Sequence, residues 1–94
     1  MERNDVYRLI DGERDYQEWR WNTNLREDGI PDEQKAPAEW LNYIKYHLER
    51  AEITNYELSK ADTMEEIRKI AALAVRAMEI HGAPERQIPE TNDN

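Results

Sequence analysis

Four side chains in one short stretch have the chemistry to grip an anion. Arg14, Gln17, Arg20 and Trp21 lie within DGERDYQEWRW. At helical spacing they project on or near one side. A guanidinium offers planar forked donors that match phosphate, an indole offers a stacking face, and a carboxamide can hold a base edge or a ribose hydroxyl. Lys69 and Arg76, seven residues apart in KIAALAVR, place two more cations beside Leu73 and Ile80. Together these six residues would retain a small nucleotide-derived anion without breaking a bond. The same residues admit a plainer account. Glu13 can pair with Arg14 or Arg20 at a wet helix end, and acidic side chains of another helix can neutralise Lys69 and Arg76.

Other chemistry is thinly represented. Glu49-x-x-Glu52 and Asp62-x-x-Glu65 have the i, i+3 spacing with which facing helices can hold Mg²⁺, as in the all-α nucleotide pyrophosphohydrolases related to MazG. Glu49 and Glu52, however, point largely away from the Leu41/Leu48 stripe, and the doubled acidic motif of those enzymes is missing. His47 has no second His at ligand spacing and is expected as a satisfied histidine at the core edge. There is no phosphate-binding glycine loop, nucleophile elbow or dinucleotide fingerprint. No catalytic residue, cofactor or metal is expected.

Composition narrows the partners. The 94 residues carry a net charge of −8, which argues against general nucleic-acid or membrane-surface binding, since both need a basic footprint. A local Arg/Lys cluster can still override the global sign. The absence of cysteine removes disulfides, thiolate chemistry and cysteine-based zinc sites. No long apolar run or targeting segment stands out, so a soluble intracellular chain is expected.

The elements that must position these side chains follow from periodicity and punctuation. One domain is expected, all-α, with three helices. Helix 1 spans about 5–22, with Val6, Ile10 and Trp21 on one face and Gly12 inside it. Residues 23–36 read as a loop, in which Ile30 is the candidate anchor and Lys35 an ordinary exposed lysine or a ligand contact. Helix 2 spans about 37–53, with Pro37 in its first turn and Leu41, Ile44, Leu48 and Ala51 as its core stripe. Thr54 to Ala61 is a connector, or a frayed extension of helix 2 that keeps Tyr56 and Leu58 inward. Helix 3 spans about 63–82, opened by a Thr63/Glu66 capping box and closed by His81, Gly82 and Pro84. Residues 85–94 form a polar tail.

Helix 3 is apolar on most of its circumference. Ile67, Ile70, Ala71, Ala74, Met78 and His81 form the expected core stripe. Leu73 and Ile80, with Ala72, Lys69 and Arg76 beside them, form a second patch. A chain this short has few helices to cover both, so the second patch is expected at a contact between copies. Helices 2 and 3 should form an antiparallel hairpin with helix 1 packed across them, and the chain should assemble into a homo-oligomeric bundle.

Three segments, IDGERDYQEWRW, EWLNYIKYHLERA and EIRKIAALAVRAMEIHGAPER, carry a resemblance that covers most of residues 6–86. Together they resemble a family of small all-α proteins from tailed-phage genomes. The resemblance implies an accessory protein acting in the cytoplasm of an infected bacterium. In style the chain is also similar to phage sponges that sequester cyclic-nucleotide immune signals, such as the anti-CBASS and anti-Thoeris proteins. The expected function is therefore sequestration of a nucleotide-derived signal without cleavage. A protein inhibitor docking its acidic surface on a host factor is the alternative, and a metal-dependent pyrophosphohydrolase the second.

Overall fold

The computed structural model describes residues 1–22 and 28–89. It contains α1 (Arg3–Asn22), a 3-10 turn (Asp32–Gln34), α2 (Pro37–Tyr56) and α3 (Lys60–His81), with no strand among the described residues. Residues 23–27 of the expected loop and 90–94 of the expected tail lie outside the described residues. The fold is all-α, and α2 and α3 pack closely. His47 meets Glu66 while Thr54 meets Thr63, so these two helices run antiparallel. The other helix, α1, packs on α3.

Two helix ends differ from expectation. The Thr63/Glu66 capping box does not form, because α3 begins one turn earlier, at Lys60 behind Ser59. Thr63 instead donates its hydroxyl to the Ser59 carbonyl at 2.8 Å, and Glu66 points to α2. The connector is also shorter than expected, since α2 continues to Tyr56. The turn is closed by Leu58 at φ 62, and both Tyr56 and Leu58 face solvent at 89% and 90% exposure rather than inward. At the far end, Gly82 takes φ 71 and donates its N–H to the Met78 carbonyl at 2.7 Å. Only glycine adopts such a backbone without strain, so the helix stops where expected.

The placement of α1 and α2 around α3 decides what is buried. Arg68 and Glu79 face α1, whereas Glu66 and Thr63 face α2. At about 100° per residue these two directions lie roughly 160° apart around α3. The three helices therefore form a layer with α3 in the middle. The segment joining α1 to α2 crosses one side of that layer, where Asp32 and Glu33 reach Arg76 and the Lys35 carbonyl accepts from His81 Nε2 at 2.8 Å.

This arrangement inverts the expected roles of the two α3 stripes. Ala72 and Leu73 are buried, together with Trp40 and Ala51 of α2. The expected core stripe is the more open one: Ile67 and Met78 remain 43% and 48% exposed, and Ile70, Ala71 and Ala74 are half-buried. On α2, Leu41 and Leu48 also stay largely exposed, while Trp40 fills the core. The cause is the covering segment, which lies over the Leu73 side. Helical periodicity alone identifies two apolar stripes and cannot say which one the chain will cover.

The remaining surface is large for the mass. The chain exposes 7586 Å², whereas a compact folded protein of 11.2 kDa exposes about 5,700 Å² by the usual size scaling. The extended segment after His81 accounts for part of the excess, and the open apolar side chains for another part.

Candidate functional site

Two of the six candidate binders meet at a junction between α1 and α3. Arg14 directs Nε and Nη2 at Glu79 Oε1, 3.0 and 2.7 Å away. Arg76 donates Nη1 to the same oxygen at 3.2 Å. Its other nitrogens reach Asp32 at 3.4 Å and Glu33 at 3.1 Å, and Arg14 also pairs with Glu18 at 2.6 Å. Burial works against the charge on Arg14, but its hydrogen bonds to Glu79 and Glu18 outweigh that and hold its pKa above the ordinary value. The Arg14 hydrogen bond in turn holds the Glu79 carboxyl below the ordinary range, with Arg76 adding to it. Two guanidiniums thus face four carboxylates, which leaves the junction acidic rather than basic.

Gln17, one turn beyond Arg14, is buried at 7% exposure, and its carbonyl oxygen has no hydrogen-bond partner among the described residues. An orphaned buried acceptor is uncommon, because leaving one unpaired costs on the order of 1–3 kcal/mol. Arg20 makes no hydrogen bond or ion pair to this junction among the described residues. Arg20 is exposed and lies over the half-buried Trp21 ring, 4.2 Å from its centroid.

Lys69 belongs to a different cluster. Its Nζ is 3.3 Å from Glu66 Oε2, while Glu66 Oε1 accepts from His47 Nδ1 at 2.9 Å and Arg50 Nε at 3.3 Å. Since a carboxylate only accepts, His47 carries a proton on Nδ1. Burial pushes the Glu66 carboxyl up, but His47 and Lys69 together hold it below its ordinary value. His47 is therefore the satisfied core-edge histidine expected from its lone position. Both sets of cations have intramolecular carboxylates, but not the expected ones: Glu13 pairs with Arg68 rather than Arg14 or Arg20, Lys69 pairs within its own helix, and Arg76 pairs with the 3-10 turn and its own helix rather than with another helix.

The residue that sequence reasoning missed is Lys35. Expected in an exposed loop, it is 1% exposed. Its ammonium donates to the Ile30 carbonyl and lies 3.2 Å from Asp28 and 3.6 Å from Asp32. Asp28 also accepts from the Tyr43 hydroxyl at 2.6 Å and from the Ile30 N–H at 2.9 Å. The Tyr43 hydrogen bond, followed by that of Ile30, lowers the Asp28 carboxyl to about 2. Lys35, not Ile30, pins the crossing segment. The available signal was two aspartates, Asp28 and Asp32, bracketing a single lysine within one short segment.

Among the described residues no three His, Asp or Glu side chains gather in a way that could hold a metal ion. Glu49, Glu52, Asp62 and Glu65 form no such group. No helix among the described residues is long and apolar enough to cross a membrane. Comparison with protein-family models, curated proteins and solved structures finds no match to this chain.

Proposed function

We propose that this chain works by binding rather than by catalysis, as a homo-oligomeric accessory protein that docks its acidic outer surface on a basic protein partner. The tailed-phage resemblance supplies the setting, an infected bacterial cytoplasm with the partner a host factor. The observation that carries the reading is the partition of charge. Arg14, Arg68 and Arg76 are engaged with carboxylates across elements, and Lys35 and Lys69 with carboxylates of their own segment or helix, whereas Asp11 and Asp15 stand exposed along α1. Exposed Arg3, Arg8 and Arg20 share α1 with them, but the net charge of −8 leaves acid in excess, and an acidic excess favours a basic partner and speeds its approach.

A second reading has one observation in its favour. Arg14 and Arg76 converge on a single oxygen of Glu79, which is 41% exposed and so replaceable, and Gln17 holds an unfilled acceptor nearby in sequence. A phosphate oxygen would take the place of Glu79 Oε1, and a ligand hydroxyl or amine would donate to Gln17. This is the sequestration of a nucleotide-derived signal, with Arg14, Gln17 and Arg76 as binders and Arg20 and Lys69 outside that cluster. The four surrounding carboxylates weigh against it.

One experiment separates the two. Protein recovered from infected cells is analysed by native mass spectrometry, then heat-denatured and the supernatant examined. A bound basic polypeptide that is lost on D11K/D15K substitution supports docking. An intact nucleotide in the supernatant, absent for Arg76→Ala, replaces docking with sequestration. Neither species in either fraction refutes both.

A further inference from the structure

We propose that the open apolar side of the helix layer is covered by a second copy of this chain, related by a two-fold axis running along α3. The inference rests on the oligomeric part of the reading above and assigns it a surface. Ile67, Ala71, Ala74 and Met78 recur along α3 on the side midway between its α1-facing and α2-facing directions. The crossing segment is tied to Arg76 on the opposite side and meets the strip's side only at His81, the last residue of α3.

The flanking helices extend the surface in complementary ways. Where α1 meets α3, a groove of about 370 Å³ is lined mostly by apolar side chains, Val6, Leu9, Ile10, Met64 and Ile67 among them, together with Glu65 and Arg68. Across α3, α2 presents Leu41 and Leu48 at 64% and 50% exposure. The antiparallel pairing of His47 with Glu66 sets Leu48 level with the groove. A two-fold parallel to α3 exchanges left and right while keeping height. It therefore brings Leu48 of each copy over the groove of the other, with the Ala71/Ala74 strips of the two α3 helices side by side. Small residues at the centre let the helices approach, and large ones at the flanks fill the depressions.

Charge selects a second copy over a foreign partner. Ile67, Ala71, Ala74 and Met78 are all uncharged, and the charged groups of the adjoining groove, Glu65 and Arg68, are already paired, Arg68 with both Glu65 and Glu13, so pairing two strips isolates no charge. The acidic surface that would make two copies repel stands on the outer sides of α1 and α2. Size agrees as well. A stable dimer buries about 800 Å² per partner, a fraction of the 7586 Å² that the chain exposes.

The full chain is cysteine-free, which gives a clean test. Sedimentation at micromolar concentration should give the mass of two chains for the wild type. Oxidised Ala74→Cys should cross-link nearly completely, and Glu49→Cys, on the outer side of α2, should not. Ile67→Glu should shift the equilibrium toward one chain by at least tenfold. A two-chain mass with no Ala74→Cys cross-link overturns this surface while leaving an oligomer in place. A one-chain wild type overturns the oligomer too. In that case, slow maleimide labelling of Ala74→Cys would assign the strip to the chain's own C-terminal segment, and fast labelling to a different protein. Binding of a basic partner is scored separately, so its failure is not confused with failure of the dimer.

Discussion

Replacing Lys35 tests whether a single buried ammonium holds the covering segment over the core. Its side chain is fully buried, while its partners Asp28 and Asp32 are 37% and 17% exposed. Lys35→Met keeps the stem and removes the donors. Hydrogen bonds to charged groups contribute roughly 1.5–3 kcal/mol each. Both aspartates can rehydrate, so the full penalty of a broken buried pair, about 3–5 kcal/mol, does not apply. The expected loss is about 2 kcal/mol. Lys35→Ala also uncovers about three methylenes at roughly 0.8 kcal/mol each, for a total near 4 kcal/mol. For a chain of this length, 2 kcal/mol corresponds to a fall in Tm of about 10 °C. Urea unfolding followed by helix signal and by Trp fluorescence gives the two numbers, and the midpoint should move without a change of slope. If Lys35→Met lies within 0.5 kcal/mol of wild type, a margin about the size of an ordinary surface substitution, the ammonium does not hold the segment and the account of why Leu73 is buried fails.

Three further outcomes follow from local geometry. Gly12 sits inside α1 with nothing within 4 Å of where a Cβ would stand, so Gly12→Ala should stabilise by about 1 kcal/mol in thermal unfolding; a loss would mean that another chain approaches there. Leu58 has φ 62 and is 90% exposed, so Leu58→Gly relieves a left-handed backbone at no packing cost, and Tm should rise by a few degrees, on the order of 0.5–1 kcal/mol. Acid unfolding should follow the carboxylates whose folded values are lowered, Asp28, Glu66 and Glu79. A lowered folded value means that the stabilisation is complete above the unfolded carboxylate range and is lost as pH falls through the folded values. The urea midpoint should therefore stay level down to about pH 5 and then fall, and Glu79→Gln should flatten that fall. An unchanged acid profile in Glu79→Gln would show that the Arg14–Glu79–Arg76 junction contributes nothing.

Much of the helical framework was legible in order. Pro37 at the first turn marks the start of α2, and Gly82, with its positive φ, marks the end of α3. These are local effects: a ring that presets φ and a residue without a Cβ act through their own backbone. The Thr63 cap failed for a related reason. Ser59 offered an earlier start, and the two threonines, Thr54 and Thr63, found each other across the hairpin at 2.9 Å. The candidate site was legible only in part. Arg14 and Arg76 were recognised as residues needing partners, and they meet at one oxygen. Arg20 and Lys69 were grouped with them by residue type, yet one lies on a neighbouring ring and the other belongs to the Glu66 cluster.

By itself, the sequence determined the helices, the two apolar stripes of α3 and the need of its cations for carboxylates. Those properties arise from periodicity, backbone preference and charge, each contained within a turn or two of chain. The tertiary structure alone decided which stripe became core. That choice depends on where the segment between α1 and α2 crosses the layer, and the crossing is held by Lys35, Tyr43, Arg76 and His81, residues brought together from 28 to 81. A contact between elements so far apart has no period and leaves no local mark, so the burial of a lysine and the exposure of Ile67 emerge only when the helices are placed.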